Sequence, residues 1–270
     1  MQTPTPIALS IAGSDSGGGA GIQADIKAMS ATGSYACTVI TATTAQNTLG
    51  VSDVHPIPIA HINAQLDAVF SDFDVRAVKI GMLADADIIR AVAEKLRQYG
   101  PKNIVLDPVM VASSGDLLLK QDAIQTLKDE LLPLVSLITP NLPEAAALLG
   151  QAVPQTEAHV QAMMPALQSL PTAAILLKGG HLTTSEHSTD WLLANEQITP
   201  FSTPRITTEN THGTGCTLSS AIASYLAQGA TLQTAVKRSK NYIANAIAHA
   251  DELQIGHGHG PVHHFYQTTL

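Results

Sequence analysis

The stretch "IALSIAGSDSGGGAGIQADIKAMSATG" (7–33) decides the fold. Residues 7–13 form a short, almost wholly apolar run, which predicts a strand buried on both faces, the habit of parallel sheets. Glycines 17, 18, 19 and 21 follow in a polar loop, and "IQADIKAMSATG" then carries the spacing of a helix. Strand, loop and helix in that order open a βαβ crossover. Outward from this unit the alternation repeats. "YACTVITATTA" (35–45) is rich in β-branched residues and predicts a strand. "IAHINAQLDAVFSDF" repeats apolar residues at Ile59, Ile62, Leu66, Val69 and Phe70, the period of one helix face. Strand "AVKIGML", helix "DIIRAVAEKLRQYG" closed by Gly100, and strand "NIVLDPV" come next. A helix over 122–135 leads to the short strand "LITP" and a helix opening at "NLPEAAALLG". A helix around 156–170, strands "AAILLKGG" and "TDWLLA", a proline-punctuated segment around 200–204 and two helices over about 214–250 complete the chain. With no repeat and no linker, the expectation is one doubly wound α/β domain over residues 1–270, with a mostly parallel sheet.

Composition agrees and excludes several classes. Of 270 residues, 45% are hydrophobic and only 13% charged, as a sheet covered on both faces requires. The net charge of −8 comes with no basic cluster longer than Lys237-Arg238, so the positive footprint of a nucleic-acid binder is missing. No apolar run approaches the roughly 20 residues of a bilayer span. The amino terminus lacks the basic start of a signal peptide. Cys37 and Cys216 match no metal spacing or disulfide framework, and both are expected as reduced thiols in the cytoplasm.

In open α/β sheets, ligands sit beyond the carboxyl ends of the strands. "GSDSGGGAG", "AQN", "GML", "DPVM", "TPNLPE" and "KGGH" each follow a predicted strand. The first is neither a Walker loop nor a dinucleotide fingerprint, but its glycines let backbone approach a ligand closely. Asp25 lies a helical turn beyond, facing either a ligand or solvent. Asn141 and Glu144 have the spacing of a capping box. The same two residues, with Asp107, are also what a hydrated Mg²⁺–nucleotide site uses. Lys178 ends a buried strand and must reach a carboxylate, a phosphate or water. The histidines of "GHGHGPVHH" (256–264) follow no recognised zinc pattern.

The most informative stretch is "NTHGTGCTLSSAIASYL" (210–226). Gly213, Thr214 and Gly215 can turn several N–H groups toward one point at a helix start, a site for an oxyanion or phosphate. Cys216 sits in the first turn. There the helix dipole favours thiolate, so the sulfur is expected to be accessible and ionisable, against the plainer reading of a buried packing residue.

Together these motifs resemble the ribokinase-like small-molecule kinases and, more closely and over nearly the whole chain, the hydroxymethylpyrimidine/phosphomethylpyrimidine kinases of thiamine biosynthesis. The resemblance implies a three-layer α/β/α fold with a mostly parallel central sheet. It also implies ATP-dependent phosphorylation of 4-amino-5-hydroxymethyl-2-methylpyrimidine and then of its monophosphate, with Mg²⁺, in a homodimer. By motif, Gly13, Asp25, Gln46, Met82 and Val109 would line the pyrimidine pocket. Asp107, Asn141, Glu144 and Lys178 would serve the nucleotide, with Glu144 and Asp107 toward the metal. Gly213, Thr214 and Gly215 would form the anion hole, and Cys216 would face the hydroxymethyl oxygen as its base. Two other readings stay open. A pyridoxal kinase shares the fold and the cysteine. A thiol acyltransferase or a non-catalytic vitamin-binding protein belongs to another class; the first would need a Cys–His–Asp/Asn triad, and the second would not turn over ATP.

Overall fold

The computed structural model describes residues 4–110, 123–182 and 185–268. Among them one nine-stranded sheet runs through the molecule. The elements are β1 (Ile7–Asp15), α1 (Gly21–Ala31), β2 (Tyr35–Asn47), β3 (Gly50–Pro56), α2 (Ile59–Asp72), β4 (Val75–Ile80), α3 (Ala86–Tyr99), β5 (Ile104–Leu106), α4 (Ala123–Thr126), β6 (Leu137–Ile138), α5 (Leu142–Leu149), α6 (Glu157–Gln168), β7 (Ala174–Lys178), β8 (His187–Ala194), β9 (Gln197–Pro204), α7 (Thr214–Ala227) and α8 (Leu232–Ala248). The strand order is β3-β2-β1-β4-β5-β6-β7-β8-β9. From β2 to β7 every pairing is parallel, while β3, β8 and β9 are antiparallel additions at the two ends.

Side-chain alternation along the central strands builds two cores. Leu9 and Ile11 of β1 and Val78 and Ile80 of β4 pack with Ile62, Leu66 and Val92 of α2 and α3. Ala8 and Ala77 face the other way, against Leu218, Ile222 and Val236 of α7 and α8. The small residues on this second face let α7 lie close to the sheet, and that closeness carries its amino terminus to the strand ends. Each fully buried aliphatic side chain contributes about 1.5–3 kcal/mol, so the aliphatic layers supply most of what holds the helices, with Trp191 and Tyr242 among the few buried aromatics.

Three segments differ from the sequence reading. β2 runs on to Asn47 and returns as β3, a strand that the polar, largely exposed "VSDVHP" hides. The proline-punctuated segment around 200–204 is β9, an edge strand whose position tolerates Pro200 and Pro204. Of the helix over 122–135, residue 122 lies outside the described residues. The rest is α4 followed by a π turn (Leu127–Leu131) and a 3₁₀ turn (Leu132–Leu134). Pro133 lacks the N–H that a continuing α-helix would use there.

Candidate active site

The loops after β1, β2, β4, β5, β6 and β7 converge with the start of α7 around one cavity of about 720 Å³, within the range of small-molecule sites. Gly13, Gln46, Met82, Val109 and Cys216 line it, as do Asp107, Asn141, Glu144, Lys178, Gly213, Thr214 and Gly215. Of the residues expected at the site only Asp25 is absent from its wall. Its carboxylate is fully buried in α1, accepting from Lys79 Nζ at 2.8 Å on both oxygens, from Ser10 Oγ at 2.5 Å and from Ser220 Oγ at 2.6 Å. The acid is consumed in holding Lys79, and Lys79 is the member of the pair that lines the cavity.

Sequence reasoning passed over that lysine, although a charge inside "AVKIGML" was the signal for it. Burial alone would drive a lone ammonium toward neutrality, but Asp25, with Asp107 beyond it, holds Lys79 charged. Replacing a buried ion pair by aliphatic side chains is often neutral or stabilising. The pair therefore contributes a fixed cation at the cavity floor rather than stability.

The helix start behaves as the glycines suggest. Gly213 caps α7 in the left-handed region at φ 78°, and a Cβ there would overlap the Gly19 carbonyl. α7 can thus begin against the glycine-rich loop only with glycine at this position. The N–H groups of Gly213, Gly215 and Cys216 have no acceptor among the described residues, so the first turn presents open donors to the cavity. Beside it, Lys178 Nζ lies 2.7 Å from Asp107 Oδ1 and 3.9 Å from Glu144 Oε2. Burial disfavours the lysine charge, yet the two carboxylates raise its pKa above the ordinary value.

The capping reading of Asn141 and Glu144 holds. The capping box forms, with Asn141 N donating to Glu144 Oε2 and Glu144 N to Asn141 Oδ1, both at 2.8 Å. The same carboxylate is nearly buried in the cavity wall. Burial, and after it the neighbouring Asp107, pushes Glu144 up to about 7 against the pull of Lys178. Among the described residues no cluster of three or more His, Cys, Asp or Glu could hold a metal ion. The Asp107–Glu144 pair fits Mg²⁺ only where water and phosphate oxygens complete the shell, which is how Mg²⁺ is ordinarily held beside a nucleotide.

The expectation for Cys216 needs correction. Its sulfur is half-buried and does line the cavity. Burial raises the thiol to about 11, and the Asp25 and Asp107 carboxylates add to that, outweighing Lys79 and the Gly21 N–H. A helix start favours thiolate in water; here desolvation wins. At neutral pH the resting group is a thiol.

A second cluster was not foreseen. Asp15 accepts from the N–H groups of Gly17, Gly19 and Ala20 at 2.8–3.0 Å and from His212 Nε2 at 2.9 Å. Burial alone would raise its pKa, but these bonds hold the carboxyl below the usual range. Farther along the cavity, Lys240 Nζ meets Asp190 Oδ2 at 2.7 Å, with Ile243 and Ile247 beside them.

Comparison with known proteins narrows the chemistry. The phosphomethylpyrimidine kinase family matches residues 15–263. A hydroxymethylpyrimidine/phosphomethylpyrimidine kinase of Escherichia coli is 52% identical over 259 residues, 96% of this chain and 97% of that one. The ADP complex of Bacillus subtilis pyridoxal kinase superposes with a TM-score of 0.90 at 34% identity, covering 98% of this chain and 99% of the other. Phosphomethylpyrimidine kinase from Clostridium difficile gives 0.78 at 44% identity, over 89% of this chain and 99% of that one. A family match from residue 15 to residue 263 and a relative more than half identical over nearly the full length place the chain in the phosphomethylpyrimidine kinase family.

Proposed function

We propose that this chain transfers the terminal phosphoryl group of ATP to the hydroxymethyl oxygen of 4-amino-5-hydroxymethyl-2-methylpyrimidine, and then to the phosphate of that product. The observation that carries the reading is the shared cavity. Gln46, Met82, Val109 and Cys216 line the same cavity as Lys178, Asp107, Glu144 and the first turn of α7. The Gln46 amide has the donor and acceptor that a ring nitrogen and its neighbouring amino group require. Met82 and Val109 offer apolar surface to a flat ring. Gly13 has no side chain, and a Cβ there would come within 2.5 Å of Met82 Cε.

Phosphoryl transfer needs positioning and charge neutralisation more than covalent chemistry. The N–H groups of Gly215 and Cys216 receive the oxygens of the moving phosphoryl group, and Lys178 adds a charge. Asp107 and Glu144 would hold Mg²⁺, which neutralises phosphate charge when bound. Ile206, Ile243 and Ile247 give the adenine an apolar bed.

Burial and the neighbouring carboxylates raise the Cys216 thiol above its ordinary pKa, and a thiol that keeps its proton cannot take another from the hydroxymethyl group. Cys216 therefore orients the hydroxymethyl oxygen as a thiol, and the proton leaves late, to a phosphoryl oxygen, as a loose transition state allows. A homodimer in the cytoplasm belongs to the same reading.

The likeness to pyridoxal kinase favours one second reading, a hydroxymethyl group on a pyridine ring. ATP consumption by the purified protein against the pyrimidine alcohol, its monophosphate, pyridoxal and ribose separates them. Turnover of both pyrimidines and not of ribose is expected. Turnover of pyridoxal alone would establish the second reading, and no ATP turnover at all would make the protein a binder.

A further inference from the structure

The glycine–histidine segment 256–264 is the part of the sequence that phosphoryl transfer leaves unused, and it converges on His212. Thr48, at the turn between β2 and β3, accepts at Oγ1 from the N–H groups of His257 and Gly258, both at 3.2 Å, and at its carbonyl from His259 N at 3.0 Å. Gly260 N donates to Asn210 Oδ1 at 3.0 Å. His212 N then donates to the Gly260 carbonyl, and Val262 N to the His212 carbonyl. The alternating glycines have a steric reason: a Cβ at Gly256 or Gly258 would overlap Thr48, and one at Gly260 would overlap Asn210. The segment is a strap from the β2–β3 turn to the start of α7.

The His212 ring faces the opposite way, into the acceptor half of the cavity. Its Nε2 lies 2.9 Å from Asp15 Oδ2 and 3.4 Å from Gln46 Nε2. A carboxylate only accepts, so the ring proton belongs on Nε2 and is given to Asp15. Gln46 cannot then donate to that nitrogen. The Thr44 hydroxyl lies 3.1 Å from Gln46 Oε1 and 3.0 Å from the Ser14 carbonyl, so its single hydrogen is shared between the two and ties Gln46 to the strand end of β1. Ser16, from the loop that Asp15 organises, clasps the Gln46 backbone with its Oγ, accepting from N at 2.8 Å and donating to O at 2.7 Å. Gly19 touches the imidazole so closely that a Cβ would overlap Cδ2.

We propose that His212 is the positioning residue of the acceptor half-site. Its ring, through Asp15, locks the glycine-rich loop, and its backbone is held by the strap, so that Ser16 of that loop keeps Gln46 aimed at the acceptor ring. The inference rests on the reading that Gln46 contacts the acceptor.

Steady-state kinetics on two variants of His212 test it, because glutamine replaces the Nε2 donor and leucine does not. His212→Leu should raise the KM for the pyrimidine alcohol by about 10–100-fold, the scale of a lost hydrogen bond to a charged group, with the KM for ATP within about twofold. His212→Gln should recover most of that loss. Gly258→Ala, outside the cavity, should raise the pyrimidine KM in the same direction and keeps the test open if the leucine variant fails to fold. Equal effects of Leu and Gln, or parallel rises in both KM values, would overturn the proposal. Gln46→Leu is the control: if it leaves the pyrimidine KM unchanged, the acceptor-site reading itself fails, independently of His212.

Discussion

Glu144 shows how one side chain can serve the fold and the site at different pH values. Its carboxylate caps α5 and lies 3.9 Å from Lys178. Burial lifts it from the ordinary 4.5 to about 7. The folded protein thus keeps a proton that the unfolded chain releases, and stability falls as pH rises from about 4.5 through about 7. Without nucleotide or Mg²⁺, the urea midpoint should decline across that window, and Glu144→Gln, which can still cap, should flatten the decline. An unchanged slope in the variant would mean that another group titrates there. Lys178, Asp107, Glu144 and Cys216 were legible as neighbours in one cavity because each ends or follows a strand or lies in a helix's first turn, with chemistry out of keeping with the bland surroundings. Asp25 was expected at the ligand or in solvent, and Lys79 was passed over. A helix-face aspartate and a strand lysine announce a pairing only when the fold brings α1 within reach of β4.

At the scale of elements, the contact between the glycine-rich loop and the start of α7 shapes the proposed anion hole. Gly213 is the pivot, since its φ of 78° and the Gly19 carbonyl both exclude a side chain. Gly213→Ala should cost about 1–3 kcal/mol for the strained backbone and should lower kcat more than it raises either KM, because the displaced N–H groups act on the moving phosphoryl group. Wild-type kcat in a folded variant would show that the turn does not shape the hole. Both partners of this contact could be read from the sequence, since glycine clusters at strand ends leave few alternatives. β3 and β9 could not. Edge strands need only one half-buried face, so "VSDVHP" and "QITPFSTP" carry too little apolar period, and prolines are tolerated there. The turn at Thr48 and the strap that fills it became visible only once β3 was paired.

Across the whole molecule, the ends of the parallel strands and the starts of α5 and α7 meet around one cavity, and β8, β9 and α8 extend its wall at one end. The segment 256–264 ties the acceptor end together, which explains why a tail rich in glycine and histidine is ordered without a metal pattern. The central claim is that the acceptor hydroxymethyl group rests against Cys216, held as a thiol. Alkylation by iodoacetamide, followed peptide by peptide to separate Cys216 from Cys37, reads both halves of that claim in one pH series. The rate at Cys216 should climb toward a midpoint near 11 and should fall sharply when the pyrimidine alcohol is bound. A midpoint below about 8, in the range of activated cysteines, or alkylation at Cys216 indifferent to the pyrimidine, would contradict it.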